Sequence, residues 1–170
     1  MLETPSLLEP SDDHLRLISS KVIIDRDFRE KIGGNSLVPN QEREFLFWKN
    51  YNSEPTRKIV LAYAENKIIG FYALDEINQG ARNARAHVHI WEQSKHLPAL
   101  CERFLAHCKN EIGLYRLWGM TSADNLKAWK FAQRVGFKSC GLIPNFYRNL
   151  NGFSDAIISD LNLYSEELEN

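Results

Sequence analysis

The stretch NLKAWKFAQRVGF, residues 125–137, has a polar start, apolar residues at helical spacing and a glycine near its end. This spacing predicts a helix with one buried face formed by Ala128, Phe131 or Ala132, and Val135. Ser122 or Asp124 is expected to cap the helix, and Gly136 to end it. The run before it, residues 115–122, predicts a strand, so the C-terminal half begins as a strand–helix unit.

Toward the N-terminus, loose alternation over residues 14–24 predicts a first strand. A short helix near residues 25–34 would follow, ended by Gly33-Gly34-Asn35. Asn40 is expected to cap a helix through residues 41–51, whose apolar side carries Phe45, Leu46 and Trp48.

The middle of the chain predicts a hairpin, a strand and a helix. Two apolar runs within residues 57–77 flank Glu65-Asn66, which indicates a tight hairpin turn. Residues 84–92 alternate as a strand, with Ala86, Val88 and Ile90 on one face and His87, His89 and Trp91 on the other. A helix is expected from Leu97, with an apolar stripe of Leu97, Leu100, Cys101, Phe104, Leu105, Cys108 and Ile112.

The last predicted elements are two strands around the turn Asn151-Gly152. The order of elements predicts an α/β (α+β, three-layer) domain, with helices on both faces of a mixed, mainly antiparallel central sheet. The strand–helix–strand unit implies one locally parallel pair. We expect one domain over residues 1–170, with residues 165–170 as a solvated acidic tail.

Composition limits the function classes. Of 170 residues, 44% are hydrophobic and 25% charged, and the net charge is −1, so we expect no nucleic-acid or membrane partner. The three cysteines form no paired spacing, and Cys101 and Cys108 fit one helix face as small apolar residues. The start has no signal-peptide pattern, and we expect a cytoplasmic protein.

The pair His87-x-His89 suggests a metal site, because both side chains share one strand face. Glu92, His96 or His107 would have to complete it, and the sequence fixes none of these as a third ligand. We therefore expect no metal.

Several residues carry a resemblance to a known family. Asn125, Ala128 and Gly136-Phe137 resemble the late helix of the GNAT superfamily of acyl-CoA-dependent N-acyltransferases. The positions after it resemble the terminal hairpin of the branch that acetylates protein N-termini, including ribosomal proteins: Gly141, Tyr147-Arg148, Asn151-Gly152 and Asp155. The resemblance covers about residues 14–164 and implies acetyl-CoA as the acyl donor.

In this family the pantetheine arm pairs with the exposed edge of a splayed central strand, which here implies Val88, Ile90 and Trp91. The pyrophosphate binds amides at the start of the next helix, which here belong to Gln93, Ser94, Lys95, His96 and Leu97. Asn125 and Lys130 would also contact the cofactor, and the alternative for Asn125 is a simple helix cap. The chain departs from the family pattern because this loop contains no glycine, and because Ala132 stands where many members have a tyrosine acid.

Acyl transfer needs a base for the amine, a donor for the carbonyl oxygen and an acid for the thiolate. His89 or Glu92 is the candidate base, and Tyr147 the candidate acid. A backbone N–H near Ile90 or Trp91 would polarise the carbonyl. The alternative for both strand histidines is inert packing under a helix. Phe45 and Trp48 are expected to line the acceptor pocket, as the resemblance implies.

The predicted function is transfer of an acetyl group from acetyl-CoA to a primary amine by direct attack in a ternary complex. The amine would belong to a protein or peptide N-terminus, a lysine or a small molecule. The alternative is a GNAT-fold protein that has lost acetyl-CoA binding and acts as a binding or structural module. The oligomeric state stays open.

Overall fold

The computed structural model describes residues 4–24, 40–149 and 152–164. The helices of these residues are α1 (Asp12–Ile24), α2 (Gln41–Ser53), α3 (Leu97–Asn110) and α4 (Leu126–Arg134). The strands are β1 (Ser6–Leu8), β2 (Lys58–Ala64), β3 (Lys67–Asn78), β4 (Asn83–Ile90), β5 (Arg116–Ser122), β6 (Lys138–Asn149) and β7 (Gly152–Asn162).

The described strands form one seven-stranded sheet in the order β1-β2-β3-β4-β5-β7-β6. Every neighbouring pair is antiparallel except β4 and β5, which are parallel. Alternate residues of β2 belong to two different cores, since Val60 packs in the core with α3 and Ile59 in the core with α1 and α2. The helices therefore cover both faces, and the predicted mixed α/β fold class is confirmed. No helix among the described residues is long and apolar enough to cross a membrane.

The hairpin between β2 and β3 turns at the predicted residues. Glu65 and Asn66 both have positive φ, 55° and 62°, as the turn of a two-residue hairpin requires. The β2–β3 register begins with Ala64 opposite Lys67 immediately beside the turn. The turn therefore sets the register between β2 and β3.

The prediction of a strand over residues 14–24 is wrong, because these residues form α1. Leu15, Ile18 and Val22 recur at helical spacing and are buried in the core with α2. The first strand lies earlier, at β1, where it pairs with β2. The predicted short helix near residues 25–34 and the break at Gly33-Gly34-Asn35 lie outside the described residues.

Helix α2 begins as predicted, since the Asn40 side chain accepts the Arg43 N–H at 3.0 Å. Phe45 and Trp48 are buried, but Leu46 is 48% exposed, so including Leu46 in the apolar face was wrong. The difference follows from the helical period, which turns position 46 away from the sheet.

The predicted apolar stripe of α3 is confirmed. Leu100, Cys101, Phe104 and Cys108 are buried, and Leu97, Leu105 and Ile112 pack against the same core. In α4 the cap is Asn125, whose side chain accepts the Ala128 N–H at 3.2 Å, and neither Ser122 nor Asp124 takes that place. The apolar side of α4 is only half-buried. The terminal hairpin is formed by β6 and β7, and Asn151 of its turn lies outside the described residues.

Candidate active site

A cleft opens between β4 and β5, the two parallel strands at the centre of the sheet. Their pairing runs only from Asn83 opposite Arg116 to Arg85 opposite Trp118. Beyond that point β4 continues to Ile90 and β5 to Ser122, both within the described residues and without pairing to each other. The strands therefore diverge, and the edge of β4 that faces β5 is open from residue 86 onward.

The hydrogen-bond alternation of β4 shows which backbone groups face this cleft. Trp91 donates its N–H to the Ile69 carbonyl of β3 at 3.1 Å. In an antiparallel ladder every second residue bonds the same neighbour, so His89 and His87 also direct their backbone groups to β3. The backbone groups of Ala86, Val88 and Ile90 consequently point into the cleft.

This alternation distinguishes the backbone N–H groups of Ile90 and Trp91, which the sequence leaves open as donors to the carbonyl oxygen. The Trp91 N–H is engaged with β3, whereas the Ile90 N–H faces the cleft and can meet a carbonyl oxygen there. The cleft is tight at its closed end, where a Cβ on Gly119 would lie 3.3 Å from the Ala86 carbonyl oxygen. Val88 is 40% exposed, which leaves its surroundings open to a ligand.

The loop after β4 is attached to the tip of the β2–β3 hairpin. Glu92 forms an ion pair with Lys67, and the Ser94 hydroxyl donates to Glu65 at 2.9 Å. The hydrogen bond to Lys67 holds the pKa of Glu92 below its ordinary value. Glu92 is therefore ionised and faces the hairpin, and its role as a base stays a prediction.

Helix α3 starts directly after this loop, with Pro98 in its first turn. The His96 N–H donates to the Ser94 hydroxyl at 3.1 Å, and the Leu97 N–H to the Ser94 carbonyl at 3.3 Å. Ser94 thus engages two amides that the resemblance assigns to phosphate. The side chains of Gln93 and Lys95 are exposed beside them.

His89 lies half-buried on the face of β4 that carries α1 and α2. Its ring is 4.6 Å from the Phe71 ring, centroid to centroid. Burial, with a smaller effect from the charge of His87, lowers the pKa of His89 to about 3. His89 is therefore neutral near physiological pH.

His87 occupies the next position on the same face and pairs with a carboxylate. Its Nε2 lies 3.1 Å from Asp75 Oδ2, and its ring is 6.2 Å from the nearly parallel His89 ring. Burial would raise the pKa of Asp75, but the hydrogen bond with His87 and the charges of His87, Arg85 and Arg57 outweigh burial and lower it. The Arg85 Nε lies 3.8 Å from Asp75 Oδ1.

Tyr147, the candidate acid, is half-buried on β6, where a register shift separates Ile143 from Tyr147. Burial raises its pKa, and the Arg85 charge partly opposes this rise, so the phenol stays protonated and lies within electrostatic range of Arg85. Asn125 uses its side-chain oxygen to cap α4, which leaves its NH₂ group available. Lys130 is exposed on α4.

Phe45 and Trp48, the expected acceptor-pocket residues, are packed in the core between α2 and the sheet. The Trp48 ring meets the Phe71 ring edge-on at 5.3 Å. Phe71 also contacts His89. The Phe71 ring therefore connects Trp48 with the face of β4 that carries His87 and His89.

The metal alternative finds no further support in the part of the chain that the structure describes. No three His, Cys, Asp or Glu side chains there are grouped so that they could hold an ion. His107 of α3, one of the considered ligands, pairs with Glu111 just after this helix at 3.0 Å.

Asp75 and Arg85 are the residues of this face that sequence reasoning missed. A weak signal existed, because Asp75 is a carboxylate at the end of the apolar run of β3. Placing it beside His87 also requires the β3–β4 register, which sets Asp75 opposite Arg85.

Comparisons with known proteins indicate the family and the fold of the chain. Residues 6–138 match the family model described as an acetyltransferase (GNAT) domain. Among curated proteins, no sequence matches the chain.

Solved structures with the same fold include spermidine N-acetyltransferases of Vibrio cholerae. A chimeric form superposes with a TM-score of 0.83 at 16% identity, covering 99% of this chain and 100% of its own. A complex with CoA and spermine also gives 0.83, at 15% identity and 94% and 95% coverage. A dodecameric form gives 0.78, at 14% identity and 95% coverage of both chains. Since the family model spans most of the chain, the chain belongs to the GNAT acetyltransferase family, and its chemistry is acyl transfer.

Proposed function

We propose that this protein transfers the acetyl group of acetyl-CoA to a primary amine bound on the α1–α2 face of β4. The observation that carries the proposal is the open edge of β4, where the backbone groups of Ala86, Val88 and Ile90 point into the cleft. An extended arm can pair with such an edge as an added strand. Side chains suited to proton transfer lie on the adjacent face of the same strand.

The donor would enter with its phosphates at residues 93–97 and its arm running along Ile90 and Val88 toward the closed end at Arg85. The start of α3 favours an anion through its free amides and its dipole. The Ser94 hydroxyl would have to release the His96 N–H for that amide to meet phosphate. Lys95, Asn125 and Lys130 would supply further donors around the nucleotide.

The transfer would be direct, in a ternary complex. The amine nitrogen attacks the thioester carbon, the C–N bond forms, and the C–S bond breaks with its electron pair on sulfur. Tyr147 would give its proton to that thiolate. Burial raises the pKa of Cys101 to about 12 and raises that of Cys108 as well, so neither cysteine suits a covalent acetyl carrier.

The charges around the open cavity beside β3, which Asp75 lines, favour an acceptor with one amine over a polyamine. Asp75 and Glu76 are balanced by Arg57 and Arg85 along the same edge. A polycation would gain little from such a surface. Small monoamines and peptide N-termini are therefore the proposed acceptors, and the terminal-hairpin resemblance supports the peptide.

The engaged amides at residues 96 and 97 favour the second candidate, a module that no longer binds acetyl-CoA. Calorimetric titration with acetyl-CoA separates the two candidates, and we expect a saturable heat with a Kd between about 1 µM and 1 mM. Thiol release should then depend on added amine, measured with a monoamine, spermidine and a peptide with a free N-terminus. Absence of binding up to millimolar acetyl-CoA would refute the proposed enzyme. The module that no longer binds acetyl-CoA would then be the remaining candidate.

A further inference from the structure

We infer that His87 accepts the proton of the incoming ammonium and that Asp75 is the positioning residue that orients its ring. This inference rests on the proposed function, because it concerns the same cleft and the same amine. It differs from the sequence expectation, in which His89 or Glu92 takes that proton.

The position of His87 suits the role. Its side chain is 25% exposed and lies on the strand face next to Val88, whose backbone points into the cleft. The amine would approach from this face, so one water could bridge it to the ring. The ring of His89 lies alongside at 6.2 Å and closes one side of the space.

Asp75 fixes the ring of His87 and offsets the charge that the ring gains with the proton. The carboxylate lies 3.1 Å from Nε2, so Nε2 carries the hydrogen and Nδ1 is the nitrogen left to accept a proton. Charged and titratable groups around the pair come from several elements: Tyr51 on α2, Arg57 before β2, Arg85 and His89 on β4, and Tyr147 on β6.

The other two candidates are less suited to the role. His89 packs against the Phe71 ring, and burial there disfavours the charged ring. Glu92 is committed to an ion pair with Lys67 at the hairpin tip. His87 has in Asp75 a carboxylate partner positioned to stabilise the cation.

The proton balance of the step is complete. The ammonium gives one proton to His87, and the neutral amine attacks the thioester carbon. The nitrogen then loses a second proton, which replaces the one that Tyr147 gives to the departing thiolate. His87 returns its proton to solvent, which reaches the pair because Asp75 also lines an open cavity beside β3.

The test compares pH profiles of kcat/KM for the wild type, His87→Gln and Asp75→Asn. With a peptide acceptor at about pH 7 we expect His87→Gln to lose about 100-fold, and the loss should shrink toward about pH 10, where the peptide α-amine is already deprotonated. Asp75→Asn should lose less and show an altered profile. A purely structural role for Asp75 would lower the rate by the same factor at every pH.

His107→Gln is the matched control, because His107 also pairs with a carboxylate, Glu111, but lies on α3 outside the cleft. This variant should match the wild type, and His87→Gln should bind acetyl-CoA as tightly as the wild type does. Turnover by His87→Gln equal to the wild type at every pH would overturn the inference alone. Absence of turnover by the wild type with every amine would overturn the proposed function together with the inference.

Discussion

Replacing Val88 with proline tests the open edge of β4 at a single backbone atom. Proline removes the N–H of residue 88, which faces the cleft, and leaves intact the bonds that His87 and His89 make to β3. Proline is tolerated on strand edges for this reason. The variant should therefore fold, and its acetyl-CoA binding should weaken.

The expected rise in the Kd for acetyl-CoA follows from the loss of one hydrogen bond. A net contribution of about 0.5 to 1.5 kcal/mol corresponds to a Kd raised about 2- to 12-fold. Val88→Ala keeps the N–H while shortening the side chain, so it should bind acetyl-CoA like the wild type. His89→Pro instead removes a bond to β3 and should lower the free energy of unfolding by about 1 to 3 kcal/mol.

Calorimetry with acetyl-CoA and urea denaturation measure the two effects separately. Equal affinities of Val88→Pro and Val88→Ala would refute a donor at residue 88. A loss of stability in Val88→Pro as large as that in His89→Pro would refute the assigned alternation of β4.

Three further predictions concern β4 and the residues around it. Gly70→Ala should cost about 1 to 3 kcal/mol in urea denaturation, because its Cβ would lie 2.3 Å from the His89 carbonyl oxygen; Gly80→Ala, with 3.5 Å of room, is the neutral control. His89 has a lower pKa when folded than when unfolded, so the unfolded chain binds the proton first and stability must fall as pH drops below 6.5. By about pH 5 this loss should reach about 2 kcal/mol, and His89→Gln should lack it in denaturation curves; an unchanged slope would contradict the burial of His89. Glu92→Gln should change kcat/KM by less than about threefold, because Glu92 serves a surface pair, and a large loss would make Glu92 the base.

The fold was predictable where the sequence signal is local. The turn at Glu65-Asn66 fixes a hairpin by itself, and the α3 stripe from Leu97 to Ile112 marks one helix face. The prediction of a strand over residues 14–24 is wrong because several apolar positions fit either period in so short a run. Only packing against α2 selects the set Leu15, Ile18 and Val22.

The site was predictable in its backbone and less so in its side chains. Strand–helix–strand order already implies a parallel pair, and the family resemblance implies an open strand edge at residues 88–92. The structure opens this edge earlier, since the pairing of β4 with β5 ends at Arg85. The pairing of Asp75 with His87 depends on the register between β3 and β4, which are joined by a loop. No local sequence pattern predicts this register. The same holds for Ser94, whose hydroxyl takes the His96 amide only once the loop is folded.

The central claim is that acetyl-CoA binds along the open edge of β4 in the cleft. Backbone amide spectra recorded while acetyl-CoA is added test this most directly. We expect saturable shifts at Val88 and Ile90 and at residues 93–97, with smaller shifts for the amides of His87 and His89, which bond to β3. Saturable shifts confined to the cavity beside Asp75, or no shift at Val88 and Ile90, would contradict the account.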